Sequence, residues 1–408
     1  MGSVRNVGRG FFPLDEELKL LCGELTPFGH ECLVRLSSWM PFEKAAELMG
    51  DMLGIRVTAA MGQRYSEAAG AAYEEIQQAE VTELEREMSP GQACAEKLQI
   101  SADGAMVPLL HGVWAEVKTL VIGEVQAPVE EQGEMVVHTR HLSYFSRKVN
   151  AEEFQRLSLV EMHRRGVLRA KQVAAVMDGA EWEQNFTDYH CPHAARILDF
   201  AHAAEHISPI GEFLHGQNTP ETKHWLERHL HQLKHHGPSR LLGEFRKLQT
   251  EHPQATEISG NLAYLEKRKL QLQYPLFQQQ GWPIGSGIVE SGNKLVVEAR
   301  LKGAGMHWAE AHVNPMLTLR NILCSDRWKT EWPKIEYRLR QQNDHQRARL
   351  HQSRKQIVPT PRVPAVPLPE YLPLLVEPPL QIAKPKLNPW RNFKHGKALF
   401  QRPDSPKI

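Results

Sequence analysis

The sequence predicts an α/β fold on a mixed five-stranded sheet with flanking helices. Two observations carry this. Apolar residues alternate with a strand-like period in Leu98–Ser101, Trp114–Val125 and Met135–Phe145. Two shorter apolar runs follow, residues 173–177 and 196–200, after an amphipathic helical stretch at 151–166. The first and fourth strands each lead into an Asp-Gly pair, Asp103-Gly104 and Asp178-Gly179, and the fifth carries Asp199 near its end.

Three strands, a helix, a strand, a helix and a strand is the order of the RNase H-like layout. It places the first acid on the first strand and the second at the end of the fourth. Before the sheet, residues 1–95 read as a helical N-terminal region. Ala45, Ala46, Leu48 and Met49 form a stripe at helical spacing, Gly54 stops that helix, and Thr58 can cap a second one carrying Met61, Arg64 and Tyr65. This is a helix-turn-helix-like outline over 42–70, with Arg56 and Arg64 as candidate DNA contacts. Ordinary core packing gives the same outline. Residues 89–91, Ser-Pro-Gly, break an acidic linker.

The first part of the core spans 96–204. Residues 205–280 carry no strand signal and read as an all-α insertion, and the core resumes over 281–325. There Trp282–Gly287 forms a turn, Ser286 is a plausible N-cap, and a helix runs through Arg300 to the Gly303-Ala304-Gly305 stop. Residues 326–355 form a basic helix. Residues 356–408 are a Pro-rich basic tail with little core potential, read as disordered.

Composition narrows the class. The chain has 408 residues, 41% of them hydrophobic, enough for one or two sizeable cores. No apolar stretch reaches the roughly 18 residues of a membrane span, and the start lacks the apolar run of a signal peptide. Its five cysteines are scattered without a CxxC pair, so the reading is a cytoplasmic protein with reduced thiols. His190-Cys191-Pro192-His193 lacks a second pair at zinc spacing. Neither a phosphate-binding G-x-x-x-x-G-K-[ST] loop nor a G-x-S-x-G elbow occurs. Net charge is only +1, but it is segregated. Leu14–Lys97 holds seven basic residues against sixteen acidic, and Leu301–Lys355 eleven against five. That distribution offers a polyanion a basic face.

Acids converging at one edge of a sheet suit hard divalent cations and phosphodiester chemistry. Asp103 and Asp178, each before a glycine, are the first candidates; the alternative for each is a cap on the following turn. Glu290 lies in the first turns of the helix after Ser286. Glu298 is its rival, about 80° away round an α-helix at about 100° per residue. Asn293, Lys294 and Arg300 on the same helix could meet phosphate. Asp199 and His202, three apart across a strand-to-helix junction, could face the same edge. By themselves they read better as a capping Asp and a satisfied His.

The blocks SADGAMVPL, VAAVMDGAEW, RILDFAHAAEH, YLEKR, GWPIGSGIVESGNKLVVEARLKGAGMHW and VNPMLTLRNILCSDRW stand in this order. Together they resemble the ISKra family of bacterial insertion-sequence transposases, relatives of the Mutator-like DDE enzymes. The resemblance runs from about Gly10 to Trp328, and weakly to Asn388–Arg391. It implies an RNase H-like core interrupted by the all-α insertion before the catalytic glutamate. It implies Asp103, Asp178 and Glu290 as catalytic and metal-binding triad, with two Mg²⁺ ions (Mn²⁺ an alternative), and Asp199 and His202 in support. DNA would be the partner, both element ends and target. Arg56, Arg64, Asn293, Lys294, Arg300 and Lys302 would contact it, and a homo-oligomer would form on paired ends. Relatives carry a CxxC zinc-binding segment before the GFFPLD block, which residues 5–13 here lack. The alternative function is therefore a DNA-binding remnant without strand transfer.

Overall fold

The computed structural model describes residues 25–87, 95–131 and 133–356. The GFFPLD block, the Ser-Pro-Gly linker at 89–91, the Pro-rich tail and Asn388–Arg391 lie outside them.

Three helices open the described chain. They are α1 (Pro27–Trp39), α2 (Phe42–Leu53) and α3 (Ala59–Arg86). The turn chemistry works as the sequence predicts. Gly54 ends α2 at a left-handed φ of 67°, and the Thr58 side chain caps α3 by accepting from the Met61 N–H. The sheet strands follow as β1 (Lys97–Pro108), β2 (Trp114–Val125), a small hairpin of β3 (Val129–Glu131) and β4 (Glu134–Val136), and β5 (Thr139–Arg147). The predicted third strand thus merges two elements. Its first residues pair with β3 and only the rest joins the main sheet. Helix α4 (Ala151–Arg164), β6 (Gln172–Met177), α5 (Glu181–His190) and β7 (Ala195–Leu198) complete the α/β unit.

The sheet order is β5-β2-β1-β6-β7. β5, β2 and β1 are antiparallel; β1, β6 and β7 are parallel. This five-stranded mixed sheet with flanking helices is compatible with an RNase H-like core. Strand alternation decides which side each residue packs on. Leu98, Ile100, Leu120, Ile122 and Phe145 meet Phe154 and Met162 of α4 and Phe186 of α5. On the other face Ala105, Val107, Val117, Val121 and Tyr144 meet two later helices.

The segment after β7 is helical, as its composition predicts. It comprises α6 (Phe200–His215), α7 (Pro220–His236), α8 (Pro238–Glu251), α9 (Thr256–Lys267) and α10 (Tyr274–Gln279). Its core of Ile207, Leu233, Leu241, Phe245, Leu262 and Leu265 is continuous with Val176, Ile197 and Leu198 of the sheet. Helix α11 (Gly287–Gly292) then passes into a π-helical turn (Asn293–Glu298) and a last α turn (Ala299–Leu301). α12 (Glu310–Cys324) and α13 (Trp328–Gln356) finish the described chain. No helix of the described residues is long and apolar enough to cross a membrane.

The N-terminal helices do not stand apart from the rest. Leu33, Val34, Met49, Tyr65, Ala69 and Tyr73 share a core with Leu319 and Ile322 of α12 and Trp328, Trp332 and Ile335 of α13. The segregated charge also meets itself here. Arg338 of α13 pairs with Glu75 of α3 at 2.7 Å, and buried Tyr73 donates to Glu331 at 2.5 Å. Acidic α3 thus neutralises part of basic α13, and the face open to a polyanion is smaller than the sequence count suggests.

Two buried histidines make this scaffold acid-sensitive. His30 stacks on Tyr65 with ring centroids 4.6 Å apart, and His190 meets the Gln155 carbonyl at 2.8 Å. Burial lowers each pKa from 6.5 to about 4. The folded state resists protons that the unfolded chain accepts. Stability is therefore full above pH 6.5 and falls as pH drops toward 4, by about 2–3 kcal/mol per histidine at pH 4.5. Urea denaturation at pH 7 and 4.5 measures this, and His30→Phe should remove about half of the two histidines' share.

Candidate metal centre

Asp103 lies in the middle of β1, not at its end as the sequence suggests, because the β1–β2 hairpin continues five residues past it. The parallel pairing of β1 with β6 stops at Ile100↔Ala175, however. Beyond that point β1 loses a neighbour, and Asp103 stands where β6 has ended. Extending the same register sets Asp103 beside Asp178. The β6–β7 pairing, which ends at Met177↔Leu198, likewise sets Asp178 beside Asp199. Three aspartates thus follow one another across three adjacent parallel strands, Asp178 and Asp199 just past the ends of β6 and β7 and Asp103 where β1 has run beyond its parallel pairing. In open α/β sheets that edge is where ligands bind.

Local contacts aim the first two. One Asp103 oxygen accepts the Gly104 N–H at 2.6 Å, and the other accepts the Asn293 amide at 2.9 Å. Burial raises the Asp103 pKa, opposed by the Gly104 N–H and reinforced by the charge of Asp178. Asp178 accepts the Ala180 N–H at 2.7 Å. The next residue, Gly179, has φ 88°, a left-handed conformation that side chains avoid.

A third acid completes the group. Glu183, in the first turn of α5, is fully buried, and one of its oxygens accepts the Gly179 N–H at 3.0 Å. Ligand atoms of Asp103, Asp178 and Glu183 all lie within 4.8 Å of one another. Burial, a hydrogen bond with Asp178 and the charge of Asp178 push the Glu183 pKa up to about 10. Its Oε1 meets no N–H or hydroxyl donor among the described residues. Glu183 is hydrogen-bonded to the Asp178 carboxyl, so the two share a proton when no metal is bound, and a cation could take that proton's place. Two like charges about 5 Å apart repel by about 3 kcal/mol at an effective dielectric of about 20. A divalent cation turns that repulsion into attraction, and the group could hold a metal ion. Sequence reasoning passed over Glu183. An acid five residues past a strand-end Asp, in the first turn of a helix, reads as a favourable helix-start charge. Glu183→Gln is expected to leave the metal-free protein as stable or more so, since it keeps a donor toward Asp178 and removes a buried ionisable group. Metal affinity should fall at least about 10-fold in titration calorimetry.

The other sequence candidates are placed differently. Glu290 is exposed and pairs with Lys294 at 2.5 Å, which lowers its pKa; it is outside the three-acid group. Asn293, three residues on, is buried and touches Asp103, whereas the Glu290 side chain turns out to solvent. Glu298 pairs with Lys302 at 2.8 Å. The π turn between them makes the α-helical angle reckoned from sequence inapplicable, and π turns are frequent at functional sites. Gly292 lets this helix approach β2, for a Cβ there would sit 2.7 Å from a Val121 methyl.

Asp199 is a cap after all. It accepts the Ala201 N–H at 3.4 Å and the Ser286 N–H at 3.2 Å, tying α6 to the start of α11. Ser286 holds the cap position of α11, but its side chain caps nothing. His202 pairs with Glu205 at 3.2 Å and lies close enough to Asp103 to lower that carboxyl's pKa when charged.

Of the candidate DNA contacts, Arg56, Arg64, Lys294 and Lys302 are exposed. Arg64 lies on an outward stripe of α3 with Ala60 and Ala68. Two are not surface residues. Asn293 is buried on Asp103. Arg300 is 2% exposed, packed against the Phe42 and Trp308 rings at 4.7 and 5.0 Å and donating to the Ser37 carbonyl at 2.8 Å. It holds the α11 segment to α1 and is closed off from solvent.

No protein-family model matches the chain, and no curated protein matches it either.

Proposed function

We propose that the chain is a DDE-type transposase, cutting DNA at the ends of an insertion sequence and joining the freed strand to target DNA. The observation that carries this reading is the convergence of Asp103, Asp178 and Glu183 at the carboxyl edge of the parallel strands. The donor set is all carboxylate oxygen, which suits Mg²⁺ or Mn²⁺ over thiol-seeking metals. Bound there, such ions would activate the attacking oxygen and stabilise the leaving one.

In this reading Asp103 and Asp178 are the principal ligands, and Asn293 holds the Asp103 carboxylate in orientation. Glu290 stays as the acid supplied from α11, the helix that runs into Asn293, and would have to leave Lys294 to reach the pair. Lys294 and Lys302, exposed along the same segment, meet the DNA backbone. Arg56 and Arg64 offer a second contact from the helix-turn-helix-like region. Two copies on paired ends would complete the assembly.

The alternative is a DNA-binding remnant without strand transfer. One observation favours it, the Glu290 carboxylate turned out to Lys294. The two readings part on one experiment. Purified protein is incubated with Mg²⁺ and labelled duplexes made from the DNA on either side of its gene, ending at any inverted repeats found there. A transposase releases a 3′-OH at the repeat end and joins it to a target plasmid. Repeat-specific binding with neither product leaves the remnant reading standing and removes the proposal.

A further inference from the structure

The loop carrying Asp178 is held from outside the sheet, by one face of the α-helical insertion. Tyr264 of α9 donates its hydroxyl to the Asp178 carbonyl at 2.6 Å. Arg268, just past α9, donates to the Gly179 carbonyl from Nε at 3.2 Å and from Nη2, and to the Tyr264 carbonyl at 3.4 Å. Its guanidinium lies 3.6 Å above the Tyr264 ring, and the His206 ring stacks on the same tyrosine at 3.6 Å. The fit leaves no slack. A Cβ on Gly179 would come within 2.5 Å of Arg268 Nε and 2.8 Å of the Tyr264 hydroxyl oxygen. Two successive carbonyls beside a candidate metal ligand are therefore gripped by two side chains some 85 residues further along the chain.

We propose that Tyr264 and Arg268 are positioning residues for metal binding, and that the insertion thereby sets the metal affinity of the catalytic edge. This rests on the metal-centre reading above. The physical reason is that the Asp178 carboxylate is fixed only as well as its own backbone is. β6 ends at Met177, so the sheet stops restraining the chain at the residue before it. Arg268, 9% exposed, is committed to this task and is not a surface cation for DNA.

The test uses the full chain without DNA. Free Mn²⁺ is followed by its electron paramagnetic resonance signal as protein is titrated in, for wild type, Asp178→Asn, Tyr264→Phe and Arg268→Lys. Tyr264→Phe keeps both ring stackings and loses one hydrogen bond. Its thermal midpoint in EDTA should stay near wild type while its Mn²⁺ dissociation constant rises about 10-fold, the usual scale for outer-shell partners of a metal site. Arg268→Lys keeps the charge but loses the fork and should weaken Mn²⁺ further. Where DNA cleavage is measured, both variants should recover near-normal rates at high Mn²⁺. Unchanged Mn²⁺ affinity in both, with wild type binding and Asp178→Asn not, overturns the positioning role and leaves the metal centre standing. Wild type that binds no Mn²⁺ overturns both.

Discussion

Under the proposed transposase function, Asp103→Asn is expected to abolish divalent-metal-dependent DNA cleavage, by about 10³-fold or more, while the protein folds at least as well as wild type. The rate effect follows from the ligand set. Losing one carboxylate from a metal site that stabilises both reacting oxygens removes several kcal/mol of transition-state stabilisation, and about 1.4 kcal/mol is tenfold in rate. The stability effect has the opposite sign. Asp103 is half-buried beside two other carboxyls, and its raised pKa reports that cost. Asparagine keeps an acceptor for the Gly104 N–H and removes one charge from the group. Denaturation in EDTA and single-turnover cleavage in Mg²⁺ should therefore move apart. Parallel variants decide the third ligand. If Glu183→Gln abolishes cleavage and Glu290→Gln leaves it intact, the acid supplied from α11 is not part of the centre.

Gly70→Ala should destabilise the protein by about 3 kcal/mol or more, the largest effect expected of any single methyl group added here. Helix propensity alone predicts a gain of about 1 kcal/mol for alanine over glycine inside a helix. Packing overrules it. A Cβ on Gly70 would lie 2.1 Å from the Pro315 carbonyl oxygen, so α3 and α12 would have to separate along their whole crossing. Gly243→Ala in α8 is the control, because nothing lies within 4 Å of its Cβ position. That variant should be stabilised by about 0.5–1 kcal/mol. Thermal denaturation of the pair reads both signs, and equal effects would show that the α3–α12 contact is not as close as described.

The sequence by itself determined the order of the five main-sheet strands and of the helices between them, the all-α insertion, the caps at Gly54 and Thr58, and the aspartates Asp103 and Asp178. All of these are local. Strand alternation, helix spacing and left-handed turn residues leave their mark within a few positions, and an acid closing an apolar run stands out against its neighbours. The third strand was misjudged for the same reason, since alternation continues across the short break between β4 and β5 and pairing partners do not show in one strand's pattern. What only the tertiary structure decided was everything that depends on register and on distant packing. A parallel offset of 75 residues brings Asp178 beside Asp103, and no local pattern encodes an offset. Glu183 joined them because α5 turns its first coil toward the sheet edge, whereas Glu290 kept to solvent with Lys294. Asn293 and Arg300, both read as phosphate contacts, were drawn inward by Asp103 and by the Phe42–Trp308 cleft. A polar side chain on a helix is surface or site according to what packs against that face, and here the packing partners lie up to 263 residues away in the chain.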